Sequence, residues 1–198
     1  MKNELEKLSY SLGANVGASL KAQGITDLDL EIFMEALNDQ VIIGDLKMSQ
    51  QDMDEFLQDF FGKKQAEQAE KAGAEGQQFL AENAKKDGVT VTESGLQYEV
   101  MKEGAGELPK AADSVTTHYH GTLISGQVFD SSVERGEPAT FPVNGVIPGW
   151  VEALQLMPVG SKWKLFVPSD LAYGDRGAGP QIAPHTALIF EVELIGIN

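Results

Sequence analysis

Cysteine is absent from the 198-residue chain. Its absence excludes disulfides, thiolate nucleophiles and thiolate metal ligands, so the fold must be held by packing alone. Long apolar runs are lacking as well, and no segment has the length of a transmembrane helix. The N-terminal residues show neither the apolar stretch nor the cleavage site of a secretory signal. We therefore expect a cytoplasmic protein, or a periplasmic one if a signal was removed before residue 1.

Positive charge is scarce: the chain holds 15 lysines and arginines against 30 aspartates and glutamates, a net charge of −15. Such a chain repels a phosphate backbone or an anionic membrane surface at long range. We expect neither nucleic acid nor a membrane as a partner. The acidic residues are spread over both halves of the chain, which is typical of charge that serves solubility.

Proline is missing from the first 108 residues, and all eight prolines lie at or beyond Pro109. Proline interrupts helices and is frequent at the turns between strands. The sequence therefore predicts an α+β chain, with an all-α first part and a strand-rich second part.

Apolar residues of the first part recur at helical spacing in three segments. Capping sequences place the starts of the second and third helices near residues 27 and 50. The third helix is expected to reach about residue 86, with Gly62, Gly73 and Gly76 as points of fraying or bending. The apolar residues of the three segments are Leu5, Leu8, Leu12, Val16 and Leu20, then Leu30, Phe33, Leu37 and Val41, then Met53, Phe56, Leu57, Phe60 and Phe61.

The helices before residue 62 amount to only about 60 residues, near the lower limit for an autonomous core. Two arrangements remain open: the helices pair with those of a second copy, or they form a compact cap on the second domain. Residues 62–78 contain no large apolar side chain and are expected to form a spacer. We predict a helical dimerisation domain over residues 1–48 and a long helix over residues 49–88. That helix would begin in the dimerisation core and continue as the spacer, before a further domain over residues 89–198.

From residue 95 onward the apolar period changes to two, which indicates β-strands. Ser125 and Gly126 form a turn pair between two of these strands. One short helical segment lies between Pro148 and Pro158. The expected architecture is one antiparallel sheet wrapped around one short helix.

Six separated segments of the second part carry a family resemblance. Residues 95–198 closely resemble the FKBP-type peptidyl-prolyl cis–trans isomerases, and the segments occur in the order found in that family. They are residues 115–121, 128–132, 145–150, 157–160, 171–174 and 187–194, with the sequences VTTHYHG, VFDSS, GVIPGW, MPVG, LAYG and ALIFEVEL.

The first part resembles the N-terminal helical domain of bacterial FKBP-type proteins of the macrophage infectivity potentiator class. Its most recognisable piece is the sequence LSYSLG at residues 8–13. This resemblance implies a V-shaped homodimer that is joined through the first helices, with long third helices holding two catalytic domains apart.

The FKBP-type resemblance implies an aromatic pocket for proline-containing peptides, unfolded proteins and macrolide inhibitors, without a cofactor or a bound metal. Trp150 would form its floor, Asp130 at the edge would pair with Arg135, and Ile182 would lie on a mobile loop. The implied catalytic residues are Tyr119, Asp130 and Tyr173. The implied binding residues are Phe129, Arg135, Phe141, Val146, Ile147, Trp150, Ile182 and Phe190.

Rotation about an X-Pro bond needs no covalent nucleophile, because its barrier of about 18–20 kcal/mol is the loss of amide conjugation. An apolar pocket favours the twisted amide, since the charge-separated planar form is poorly solvated there. We hypothesise that the proline ring packs on Trp150 and that the Ile147 N–H and the Tyr173 hydroxyl hold flanking carbonyls. Asp130 either acts directly beside the rotating carbonyl or orients Tyr119 and Arg135.

Two other functions stay open. A dimer with two pockets would also hold unfolded chains as a chaperone, whatever its turnover on peptides. His118 and His120 share one strand face and would suit a metal, with His185 as the third histidine of the chain. Solvated strand histidines are the more ordinary interpretation, and we predict no metal site.

Overall fold

The computed structural model describes residues 3–198. The chain divides into two compact units between Phe60 and Phe61. The predicted dimerisation domain begins at Met1, and Met1 and Lys2 lie outside the described residues. Within residues 3–198 no helix is both long and apolar enough to cross a membrane.

Three helices form the first part, as the apolar spacing predicts. α1 spans Glu4–Ala22, α2 spans Leu30–Asn38 and α3 spans Gln50–Asn83. Asp29 and Ser49, both within the predicted capping sequences, accept hydrogen bonds from backbone N–H groups in the first turns of α2 and α3. These caps satisfy donors that a helix start leaves without an intrahelical partner.

α2 runs directly into a π-helical turn at Asp39–Ile43. Gly44 ends this turn with a φ of 75°, in the left-handed region that glycine adopts without a steric penalty. α3 continues unbroken through Gly62, Gly73 and Gly76, where the sequence predicts fraying or a bend. It ends at Asn83, short of the predicted residue 86.

The apolar side chains of residues 3–60 are not buried. Leu5 is 71% exposed, Leu12 57% and Ile42 76%, and neither α1 nor α2 contains a buried residue. Amphipathic helices ordinarily bury such a stripe against another element. The first unit therefore presents apolar helix faces that its own fold does not cover.

The second unit contains one antiparallel sheet of seven strands, in the order β1-β2-β6-β7-β3-β4, with β5 paired to the first half of β3. Ser125 and Gly126 form the predicted turn between β3 and β4, and Gly126 donates its N–H to the Leu123 carbonyl. The sequence did not predict β1 and β5, which are only three and four residues long. The strands are β1 Val89–Val91, β2 Gln97–Lys102, β3 Ser114–Leu123, β4 Val128–Ser131, β5 Ala139–Pro142, β6 Lys162–Val167 and β7 Leu188–Ile197.

Two helices accompany the sheet. α4 spans Ser132–Arg135 directly after β4, and α5 spans Pro148–Leu156. Ala153 and Leu154 of α5 are fully buried in the core, together with Leu165 of β6. The sheet is thus wrapped around one short helix, as expected.

The last turns of α3 belong to the second unit and pack against β2 and β6 of its sheet. Phe79 lies against Phe166 with ring centroids 5.9 Å apart. Asn83, which is 1% exposed, donates to Gln97 Oε1 at 3.0 Å. Gly76 is buried as well. The sequence did not indicate the contact at Gly76, because close packing through glycine leaves no apolar side chain to recognise.

Candidate active site

An aromatic cavity of about 440 Å³ opens between β3, β4, α5 and the loop that precedes β7. Nine of the eleven residues predicted from the sequence line this cavity, and Arg135 and Ile182 do not. Gly145 lines it in addition. The complete lining is Tyr119, Phe129, Asp130, Phe141, Gly145, Val146, Ile147, Trp150, Tyr173 and Phe190.

Trp150 is the centre of the aromatic lining. Its ring lies 5.2 Å from that of Phe190, 5.4 Å from Tyr119 and 5.5 Å from Phe141, each in an edge-to-face arrangement. Trp150 is only 4% exposed, so the indole closes the inner end of the cavity. Edge-to-face contacts of this kind add to the stabilisation from buried area and hold the rings in fixed orientations.

The start of α5 sets the position of Trp150. Pro148 occupies the first turn, where its missing N–H costs nothing. Gly149 follows, and a Cβ there would come within 2.6 Å of Val167 Cγ1. Only glycine lets α5 approach β6 this closely. The close approach places the neighbouring Trp150 side chain in the interior of the unit.

Gly121 of β3 makes room for two rings of the lining. A Cβ at this position would lie 2.7 Å from Phe129 Cζ and 3.0 Å from Phe190 Cε1. The two rings instead meet each other at right angles, with centroids 5.5 Å apart. The lack of a side chain at Gly121 therefore leaves the space that the Phe129 and Phe190 rings occupy in the cavity wall.

Asp130, Tyr119 and Arg135 form a hydrogen-bonded cluster at the edge of the cavity. The Tyr119 hydroxyl donates to Asp130 Oδ2 at 2.5 Å, and Arg135 donates to Asp130 Oδ1. Arg135 also donates to the Tyr119 oxygen at 2.9 Å, and its guanidinium lies 5.6 Å from the Tyr119 ring centre. Both carboxylate oxygens of Asp130 are thus engaged.

The cluster shifts the ionisation of its members. Burial, followed by the hydrogen bond to the Asp130 carboxylate, raises the pKa of Tyr119 above its ordinary value. Burial also acts to raise the pKa of Asp130. The hydrogen bonds from Tyr119 and Arg135 and the guanidinium charge outweigh it, so the Asp130 pKa lies below its ordinary value. At neutral pH the cluster holds a protonated phenol and an ionised carboxylate.

Several hydrogen-bond donors on residues of the lining have no partner within residues 3–198. They include the Ile147 backbone N–H, the Tyr173 hydroxyl and the buried Trp150 Nε1–H. Tyr173 is 38% exposed. The cavity therefore combines apolar walls with donors that suit the carbonyl groups of a peptide.

Arg135 and Ile182 lie outside the lining for different reasons. Arg135 reaches the site from α4 through Asp130 and Tyr119. Ile182 is 6% exposed and packs into the hydrophobic core, and it forms an isolated β-bridge with Ala178. Gly145 was missed as a lining residue although it belongs to the motif GVIPGW, where its place beside Val146 and Ile147 is the available signal.

The three histidines do not form one site. His118 lies 3.1 Å from Ser132 Oγ and His120 lies 3.0 Å from Ser131 Oγ through their Nδ1 atoms. His185 instead pairs with Asp175 at 3.5 Å. Among the described residues, no three histidine, aspartate or glutamate side chains form a group that could hold a metal ion.

Two known domain families match the chain. Residues 105–195 match the family described as FKBP-type peptidyl-prolyl cis-trans isomerase. Residues 5–100 match the domain described as amino terminal to FKBP-type peptidyl-prolyl isomerase. The fold is thus that of an FKBP-type peptidyl-prolyl isomerase with an amino-terminal domain.

Relatives resemble the chain over nearly its whole length. The FKBP-type 22 kDa peptidyl-prolyl cis-trans isomerase of Escherichia coli strain K12 is 48% identical, over 96% of this chain and 93% of that protein. Outer membrane protein MIP of Legionella longbeachae is 44% identical, over 100% of this chain and 88% of that protein. The crystal structure of FkpA from Escherichia coli matches with a TM-score of 0.73 and 37% identity, over 100% of this chain and 98% of that one. The chain belongs to the FKBP-type peptidyl-prolyl cis–trans isomerases with an amino-terminal helical domain, and it is an enzyme.

Proposed function

We propose that the aromatic cavity accelerates rotation about X-Pro bonds in proline-containing peptides and unfolded proteins by binding the twisted amide. The observation that carries this proposal is the combination of an indole at the inner end with two unpaired donors on the walls, the Ile147 N–H and the Tyr173 hydroxyl. The proline ring packs on Trp150. The Ile147 N–H and the Tyr173 hydroxyl bind the carbonyl groups on either side.

The physical basis is differential binding. A planar amide is stabilised by charge separation, which an apolar cavity solvates poorly, whereas the twisted amide has lost that separation. Each tenfold acceleration requires about 1.4 kcal/mol of preferential stabilisation of the transition state. The free energy gained from two hydrogen bonds and the exclusion of water is large enough to account for an acceleration of several powers of ten.

We assign Asp130 an orienting role. Its two oxygens are already engaged by Tyr119 and Arg135, which favours the positioning of those side chains over direct action beside the rotating carbonyl. The carboxylate fixes the Tyr119 ring, and the Tyr119 ring lines the cavity.

The test is kcat/KM on a short X-Pro peptide for Asp130→Ala and Tyr173→Phe. Each substitution is expected to lower kcat/KM about tenfold, equivalent to about 1.4 kcal/mol. Tyr98→Phe is a matched control, because Tyr98 stacks on Trp163 and does not line the cavity. Unchanged rates for both Asp130→Ala and Tyr173→Phe would refute the assignment.

Macrolide inhibitors are proposed to occupy the same cavity, so a macrolide should suppress turnover competitively.

The active form is proposed to be a homodimer joined through residues 1–48, with the first part of residues 49–88 in the interface. The exposed apolar faces of α1 and α2 support this arrangement, since a second copy would cover them. The alternative of a compact cap requires those faces to be buried within one chain. Sedimentation of the full chain distinguishes the two arrangements.

A dimer also supports a role as a folding chaperone. Two cavities on one particle would bind two sites of an unfolded chain with a higher effective concentration. The test is suppression of aggregation by the Asp130→Ala variant, which is expected to keep the dimer while its kcat/KM falls about tenfold. If the variant loses its suppression of aggregation along with its turnover, the chaperone role is not a separate function.

We place the protein in the periplasm, the alternative that the sequence left open, rather than in the cytoplasm. The support is the name of the Legionella longbeachae relative, an outer membrane protein. Cell fractionation with antibody detection tests this placement. Recovery with the cytoplasmic fraction alone would contradict it.

A further inference from the structure

Two glycines of α3 set its distance from the segment that leads into β7. A Cβ at Gly73 would lie 3.3 Å from the Cβ of His185, and a Cβ at Gly76 would lie 3.2 Å from the Cβ of Ala187. Both distances are shorter than ordinary van der Waals contact. A side chain at either position would push its neighbour away by at least a few tenths of an ångström, so these glycines are packing positions.

His185 is bonded to the turn that follows Tyr173. Its backbone N–H donates to the Gly174 carbonyl at 2.9 Å, and its imidazole Nδ1 lies 3.5 Å from Asp175 Oδ1. Gly174 is the next residue after Tyr173 and begins the 3₁₀ turn Gly174–Arg176. A continuous series of contacts therefore runs from Gly73 through His185 to a residue of the cavity.

The backbone of His185 is strained. It is the one non-glycine residue among residues 3–198 with a positive φ, at 61°. Such a conformation persists only where surrounding contacts hold it. The contacts at hand are α3 on one side and Gly174 with Asp175 on the other.

Two clefts border this contact. One of about 660 Å³ lies between α3 and a loop that includes Arg176 and Pro184, and one of about 420 Å³ lies between α3 and residues 168–170. The close contact that α3 makes at Gly73 and Gly76 is therefore narrow, with an open cleft on each side. A change in the distance between α3 and residues 185–187 would displace His185 and Ala187 directly, because few other contacts there could absorb it.

We propose that α3 positions Tyr173 in the aromatic cavity through His185, so that the spacing between Gly73 and His185 controls the rate of isomerisation. His185 does not line the cavity and is a positioning residue. α3 is then part of the catalytic machinery and not only a connection between units. This inference rests on the proposed role of Tyr173.

A side chain at position 73 tests the proposal in the full-length chain. It must displace His185, and the bond from His185 to Gly174 transmits the displacement to Tyr173. Gly62→Leu is a matched control on the same helix, because a Cβ at Gly62 meets no atom within 4 Å. Gly73→Ala serves as a milder variant whose folding is less at risk, and circular dichroism with urea unfolding checks that every variant is folded.

The measurement is kcat and KM on a short X-Pro peptide, with Gly73→Leu and Gly62→Leu made in the parent chain and in Tyr173→Phe. Gly73→Leu is expected to lower kcat/KM about three- to tenfold, less than the hundredfold that a misplacement of about 1 Å can cost. Gly73→Ala is expected to act in the same direction with a smaller factor, and Gly62→Leu to match the parent. In the Tyr173→Phe chain Gly73→Leu is expected to add no further loss.

Equal losses from Gly73→Leu in both chains would overturn the inference alone, because independent sites act additively. Parent-like rates for both Gly73 variants would overturn it as well. A parent-like rate for Tyr173→Phe itself would overturn the proposed role of Tyr173 and this inference with it.

Discussion

Tyr119 donates its hydroxyl hydrogen to Asp130 Oδ2 across 2.5 Å, while Arg135 binds the other oxygen of the same carboxylate. The carboxylate is thus anchored from both sides, and the phenol ring that it holds forms part of the cavity wall. The hydrogen bond links the ionisable carboxylate of Asp130 at the edge of the cavity to the position of the Tyr119 ring in the cavity wall. The charge state of the carboxylate therefore has consequences for activity that are open to measurement.

The lowered pKa of Asp130 predicts a flat pH profile above about pH 5, since an unperturbed aspartate titrates near pH 3.9. Because the folded-state pKa lies below the unfolded one, the ionised cluster contributes its full stability above the unfolded pKa. That contribution is lost as the pH falls through the folded pKa. kcat/KM should decline only in that acid range, and Asp130→Asn should lack the decline. A midpoint near pH 6.5, the ordinary histidine range, would contradict this assignment.

Gly121→Ala should close part of the cavity. The added methyl group would meet the rings of Phe129 and Phe190. We expect a loss of stability of about 1–3 kcal/mol from overpacking, together with a lower kcat/KM. Urea unfolding and peptide turnover measure the two effects. Gly196→Ala in β7 is the control, since a Cβ there meets nothing within 4 Å, and an equal effect of both substitutions would contradict the prediction.

Leu8→Glu should weaken the proposed dimer. Leu8 is 57% exposed in the single chain, so a charge there costs little in a monomer but is unfavourable in an apolar interface. Sedimentation velocity should show a shift towards monomer, with kcat/KM on a short peptide unchanged. Val133→Glu, at a second-unit position of equal 57% exposure, should leave the sedimentation of the chain unaltered. Equal sedimentation of Leu8→Glu and the parent would argue against an interface at α1.

Asn83→Ala should destabilise the second unit. Asn83 is buried and donates to Gln97 Oε1, and the substitution leaves that buried acceptor without its donor. We expect a loss of about 1–3 kcal/mol in the free energy of unfolding, the usual result of leaving one such group unpaired. Glu82→Ala, at the exposed neighbouring position, should have much less effect in the same urea titration. Comparable losses for both would contradict a structural role for the bond.

Local patterns in the sequence were enough for most element types, and the resemblance to the FKBP-type family supplied most of the residues that line the cavity. The change of apolar period from helical to alternating separates α1–α3 from the sheet, and the turn pair Ser125 and Gly126 lies between β3 and β4 as predicted. The motifs GVIPGW and VFDSS contain most of the cavity lining, and GVIPGW also contains the glycines and the proline that shape the backbone there. β1 and β5 were missed, since three or four residues carry too little periodicity.

What the sequence by itself determined about this protein is its division into a helical and a strand-rich part, its family and the set of aromatic residues around Trp150. The division follows from local periodicity, and the family and the aromatic residues follow from the resemblance that six separated motifs carry. Only the tertiary structure decided that Ile182 belongs to the core, that Gly145 lines the cavity and that Gly73 and Gly76 seat α3 against His185 and Ala187. The physical reason is that the contacts of Gly73 and Gly76 join residues more than a hundred positions apart. A glycine that allows close approach looks the same in the sequence as one that only weakens a helix.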